Sequence, residues 1–211
     1  MRGRIGLVAA VTTWLGAVSI GLALVAQYDN TAGATAAGPA QWPMASGLAR
    51  DPAGVTLVML AHPRCTCTRA SLAELAEIMA RARHRPRAYV VFVRPGQLAD
   101  GWETSDLLGR ASRIPGVTIV RDDTGAEADA FRAETSGQIF LYDGSGRLRF
   151  SGGTTRSRGH AGDNVGRATI LAILNHEQPP RSRTSVFGCS LFASGDRHDP
   201  AEAIPHDDHH H

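Results

Sequence analysis

The sequence predicts an α/β domain, a central mixed sheet flanked by helices, carried behind one N-terminal membrane-crossing helix. Three observations lead there. Residues 5–26 hold no charged side chain; between residues 55 and 175 short apolar runs of strand length alternate with stretches of helical spacing; and Asp143-Gly-Ser-Gly146 separates the last two apolar runs. Alternating strands and helices build a parallel sheet covered by helices, and a hairpin adds an antiparallel edge.

The N-terminal stretch sets the expected compartment. Arg2 and Arg4 precede the uncharged residues 5–26. As a helix, that stretch is about 33 Å long at 1.5 Å per residue, enough to cross a bilayer core. It exceeds the roughly 7–15 apolar residues of a cleavable signal. Arginines on its N-terminal side keep that end in the cytoplasm. Residues 1–27 are therefore expected to be a cytoplasmic tip and signal anchor in a bacterial inner membrane, with the rest on the periplasmic, extracytoplasmic side. The strings Ala32-Gly-Ala34 and Ala34-Thr-Ala36 leave cleavage open. A chain with 22 Lys and Arg residues, every one an Arg, points to GC-rich bacterial coding. Residues 28–50 are small, polar and broken by Pro39 and Pro43, and they read as a linker.

The domain is expected over residues 51–176. Its first strand is the apolar run 55–60, and helical spacing begins at Arg69 with Leu72, Leu75, Met79 and Ala82 on one face. A buried strand follows over 88–93, a short helix over 103–113, a third strand over 117–120 and one or two helical turns over 125–132. Residues 138–142 and 147–150 flank the turn string as a hairpin. Asp163 is placed to cap a last helix reaching about Asn175, with Ile170, Leu171 and Leu174 inward.

Composition excludes some functions. The 211 residues carry a formal charge of +2 with both signs interspersed, so no basic face suggests nucleic acid. Hydrophobic residues at 43% are enough for a packed core. There is no P-loop, dinucleotide glycine fingerprint, Gly-x-Ser-x-Gly or His-Glu-x-x-His. Residues 177–211 form a polar tail, interrupted by an apolar island, Ser185-Val-Phe-Gly-Cys-Ser-Leu-Phe192, around Cys189. An apolar island in a polar tail is expected to dock, and over the Cys65 loop it would supply Cys189 as a resolving thiol or a third metal ligand. The tail histidines are assigned no function.

The chemistry lies in the junction Leu60-Ala-His-Pro-Arg-Cys-Thr-Cys-Thr-Arg-Ala-Ser-Leu72. A thiolate is the reactive form of cysteine, and a helix N-terminus with Arg64 and Arg69 close by stabilises it. Two cysteines on one loop in an oxidising compartment can form a disulfide or exchange with one. This element order, with cysteines between the first strand and its helix, resembles the thioredoxin superfamily, and in particular TlpA-like membrane-anchored proteins. The string is also similar to the His-Pro-x-Cys-x-Cys of RedB-like membrane proteins. The resemblance covers about residues 52–176 and implies that Cys65 is the nucleophile. Cys67 or Cys189 would resolve, Thr68 stands where a second cysteine is usual, and no cofactor is required. The partners it implies are thiols or disulfides of exported proteins.

Two departures favour a rival. Thr135-Ser136-Gly137 stands where thioredoxins carry a cis-proline, and Pro63-Arg64 replaces the aromatic residue before the first cysteine. Sco-type copper chaperones share the fold without that proline. Two cysteines can chelate a soft metal such as Cu(I), or Zn(II); the similarity implies copper held by Cys65, Cys67 and His160, with His62 a further candidate and a metalloprotein as client. His160 belongs to the glycine-bearing loop 151–162. A solvated His160, or a His62 that only caps its loop, is the plainer reading of each histidine.

Overall fold

The computed structural model describes residues 2–94 and 105–192. One unbroken helix, α1, spans Arg2–Asn30 and is long and apolar enough to cross a membrane. Its apolar side chains, Trp14 and Leu22 among them, are exposed, so no protein surface covers them.

The domain is built on five strands: β1 (Thr56–Ala61), β2 (Arg87–Val93), β3 (Val117–Asp122), β4 (Ile139–Tyr142) and β5 (Leu148–Gly152). They lie in the order β3-β2-β1-β4-β5. β1, β2 and β3 are mutually parallel, while β4 runs antiparallel to both β1 and β5. Every residue of β1 is buried because helices cover both faces of the central strand, which explains its unbroken apolar run. One face, with Leu57, Met59, Phe92 and Leu141, packs in a cluster with α2 (Thr66–Arg81), α3 (Asp106–Ser112) and α5 (Val165–Leu174). The other face, with Val58, Leu60, Val91 and Phe140, packs with Phe131 of α4 (Ala126–Phe131) and with Leu191 of the tail. The predicted hairpin turn is present, with Asp143 Oδ1 accepting the N–H groups of Ser145 and Arg147, each at 3.0 Å.

Boundaries moved in two places for physical reasons. α2 starts at Thr66, before the apolar periodicity at Arg69, because its first turn carries short Thr and Cys side chains rather than core residues. α5 is capped by Asn164, whose side-chain oxygen accepts the Arg167 N–H at 2.7 Å. Asp163 instead takes the Arg167 guanidinium at 2.5 Å. The start of the helix expected over 103–113 lies outside the described residues, and α3 is described from Asp106.

Residues 28–50, expected as a linker, are bonded to the domain at many points. Ala34, Ala36 and Pro39 give their carbonyls to the side chains of Thr135, Gln138 and Tyr142. The Trp42 N–H donates to Gly146 O at 2.7 Å, and the Trp42 ring stands edge-on to Phe131 and Tyr142. Composition hid this because the segment docks mainly through its backbone carbonyls, which carry no residue signature. Trp42→Ala should lower the unfolding free energy by about 2–3 kcal/mol, below the cost at a fully buried site because the ring is only partly covered. Denaturant unfolding measures it, and a change under about 0.5 kcal/mol would mark the segment as a free tether.

Candidate functional site

The site forms where β1 ends at the middle of the sheet. After Ala61 the chain turns, with the Cys65 N–H donating to His62 O at 3.2 Å, and Cys65 becomes the N-cap of α2. His62 holds this turn: its N–H donates to Ser136 Oγ at 2.8 Å, and its Nδ1 accepts the Arg64 N–H at 3.1 Å. Burial lowers the pKa of its ring, opposed by the charge of Cys65 and aided by that of Arg64. The capping role expected of a plain loop histidine is thus met by His62.

Opposite lies the segment leading into β4. Ser136 sits beside Thr68, Oγ to Oγ at 2.7 Å. Its peptide N–H donates to Cys189 O at 2.8 Å. No cis peptide bond occurs among the described residues, and Gly137 takes φ 91°. A β-carbon at Gly137 would fall 2.7 Å from Ser71 Oγ, so the chain approaches α2 closely only because that residue is glycine.

The tail closes the site. Thr135 and Ser190 form an antiparallel bridge, and the Leu191 N–H donates to Glu134 O at 2.9 Å. A β-carbon at Gly188 would run into the Ser136 carbonyl, so glycine is required for this strap to seat. Val186 and Leu191 are buried on either side of Cys189. The result brings Cys189 Sγ to 3.0 Å from Cys65 Sγ, with both sulfurs unbridged. The two side chains are thus within hydrogen-bonding reach of each other.

Electrostatics assign the proton. The Cys65 pKa is lowered to about 4, first by the hydrogen bond from the Cys189 thiol; burial opposes this, and Thr68 and the Cys189 N–H assist. The Cys189 thiol is pushed far up by the same bond and by burial. Cys67 is also pushed up, first by burial and then by the charge of Cys65. These interactions favour the thiolate form of Cys65, which accepts hydrogen bonds from Cys189 and Thr68. The expected aid from Arg69 is absent, because its guanidinium pairs with Asp106 at 2.8 Å. A hydrogen bond from a neighbouring thiol across the fold does the work that a nearby cation was expected to do.

Strand order, the antiparallel β4–β5 edge and a reactive cysteine capping the helix after the central strand are now together. The chain has the thioredoxin fold. No protein-family model matches it, and no curated protein matches it in sequence. Among solved structures it is similar to an uncharacterized conserved protein from Geobacillus kaustophilus, with TM-score 0.56 and 17% identity, covering 79% of this chain and 94% of that one. A hypothetical protein from Sinorhizobium meliloti aligns at TM-score 0.53 and 19% identity, over 78% of this chain and 96% of the other. A pneumococcal exposed lipoprotein thioredoxin from Streptococcus pneumoniae aligns at TM-score 0.43 and 17% identity, over 59% and 86%.

In this thioredoxin-fold domain the predicted site residues divide. Cys65, Cys67 and Cys189 interact with one another, with Cys65 at the centre. His160 does not join them: its exposed ring bonds through Nδ1 to Ser157 Oγ at 3.0 Å and Arg158 O at 2.8 Å. Among the described residues no three His, Cys, Asp or Glu side chains are placed to hold an ion. A shell of Cys65, Cys67 and His160 does not fit this arrangement. Thr68 and Ser136 belong to the site although the sequence flagged them only as replacements for a cysteine and a proline. Arg158 was missed entirely, and no local pattern marks it. Its loop is held by buried Glu74, which accepts from Gly162 N, Asn164 Nδ2 and Arg167 Nη1 at 2.6–2.9 Å.

Proposed function

We propose that the chain is a membrane-anchored, extracytoplasmic thiol–disulfide oxidoreductase in which Cys65 and Cys189, rather than Cys65 and Cys67, form the redox pair. The observation that carries this is the 3.0 Å approach of the two sulfurs across the fold, which also lowers the Cys65 pKa. In one direction the Cys65 thiolate attacks a partner disulfide, and the partner's other sulfur leaves and takes up a proton. Cys189 then attacks the Cys65 sulfur, releases the second partner thiol and closes a Cys65–Cys189 disulfide. Two electrons pass from the chain's thiols to the partner.

The reverse is the favoured direction. A stabilised Cys65 thiolate is a good leaving group, and stabilising the reduced form makes the disulfide a stronger oxidant. A dithiol of an exported protein would then be oxidised as the chain's own disulfide is reduced. Cys67 keeps its proton beside this pair and serves as a neutral donor to Cys65. Copper handling through Cys65 and Cys67 has no comparable arrangement behind it.

The full chain, oxidised and held in detergent micelles, should convert a peptide dithiol to its disulfide in one stoichiometric turnover. Cys65→Ser and Cys189→Ser should each abolish the turnover, whereas Cys67→Ser should retain most of it. Loss in Cys67→Ser with full turnover in Cys189→Ser would show that the neighbouring cysteines are the pair.

A further inference from the structure

One side chain ties the cysteine strap to the end of the N-terminal helix. The Arg158 guanidinium donates through Nη1 to Gly188 O, beside Cys189, and through Nε to Tyr28 O at 3.2 Å. It also lies over the Tyr28 ring, 4.8 Å from its centre, and the Arg158 N–H donates to Asp29 O at 2.9 Å. Next to it the Gly33 N–H donates to Val186 O at 2.8 Å, so the strap and the chain leaving α1 are bonded to each other directly.

These contacts set a level. Tyr28 lies two residues past the uncharged stretch 5–26, about 3 Å further along the helix axis. An aromatic residue at that point is where an interfacial ring is expected. Cys189 follows Gly188, whose carbonyl is bonded to the same guanidinium, and consecutive Cα atoms are about 3.8 Å apart. The surface beside the strap has the matching charge: exposed Arg156 and Arg181 line one shallow cavity with Phe187, and exposed Arg183 bridges to Ser151. Such a surface is complementary to anionic lipid headgroups.

We infer that the cysteine site is held against the bilayer at headgroup level, with Arg158 as the positioning residue and an anionic lipid surface as the occupant beside Arg156, Arg181 and Arg183. This rests on reading α1 as a retained membrane anchor. The thiols within reach would then be those of chains held at the membrane, at the first residues outside the hydrocarbon core.

The test uses the full chain in nanodiscs of phosphatidylcholine and phosphatidylglycerol. The three native cysteines are replaced by serine, and a single bimane label is placed at Ser190→Cys or, at the opposite end of β1, at Ala53→Cys. Lipids with a nitroxide on the headgroup should quench most of the fluorescence at 190 and little at 53. Arg158→Ala should relieve the quenching at 190. Equal quenching at the two positions, or none at 190, overturns the inference, and unchanged quenching in Arg158→Ala overturns the role of that residue. A fluorescent non-natural residue at 190 or 53 in the native cysteine background should repeat the contrast, and a contrast lost there counts against the inference too. None of these labelled chains needs to turn over a thiol, so failure of the oxidoreductase reading leaves the result readable.

Discussion

Replacing Cys189 by alanine should raise the Cys65 titration midpoint from about 4 by roughly one to two pH units. That shift follows from the bond removed, since a hydrogen bond to a charged group contributes about 1.5–3 kcal/mol and one pH unit corresponds to about 1.36 kcal/mol. Thr68 and the residue-189 N–H remain, so the midpoint should not return to the ordinary thiol value near 8.5. At pH 5 the ionised fraction would fall from about nine-tenths to between about a half and a tenth. Thiolate absorbance of the reduced chain reads this, and Cys65→Ala identifies the signal by removing it. A midpoint unmoved in Cys189→Ala would mean that the strap is not the source of the low pKa.

The same shift links to stability, and its sign is fixed. The folded pKa of Cys65 is depressed, so the stabilisation is fully present above the unfolded value near 8.5 and is lost as pH falls through about 4. The reduced wild-type chain should therefore gain on Cys65→Ala between those limits as pH rises. Cys67 and Cys189 act oppositely. Their folded pKa values are raised, so ionisation in the unfolded chain above about pH 8.5 erodes the gain.

The fold was legible because its signals are periodic. β1 and β2 are wholly or almost wholly buried runs, Leu72, Leu75 and Met79 mark the inner face of α2, and Asp143 specifies its turn through its own side chain. The site was legible as far as local sequence reaches. Cys65 at the strand–helix junction and the apolar island around Cys189 could both be named, and their docking could be anticipated.

The details that decide the chemistry could not. The contact between Cys65 and Cys189 closes over 124 residues, and it is fixed by long-range contacts of the tail, the seating of Gly188 on the Ser136 carbonyl and the Thr135–Ser190 bridge among them. His160 and Cys65 sit in loops that look equally open in the sequence, yet the His160 ring is bonded within its own loop. Arg69 looked like a partner for the thiolate from its position, and Asp106 takes it instead. Arg158 is one of many arginines in the chain, and only the return of the tail past Tyr28 gives it a role.

The chemistry of the site depends on which cysteines pair. The full chain should be oxidised gently, its remaining thiol blocked in acid, and the digest mapped by mass spectrometry. The expected product is a disulfide between Cys65 and Cys189 in nearly all molecules, with the blocking group on Cys67, because the Cys189 sulfur already stands 3.0 Å from the thiolate. A Cys65–Cys67 disulfide with Cys189 blocked, or three blocked thiols after exposure to a disulfide reagent, would contradict the account.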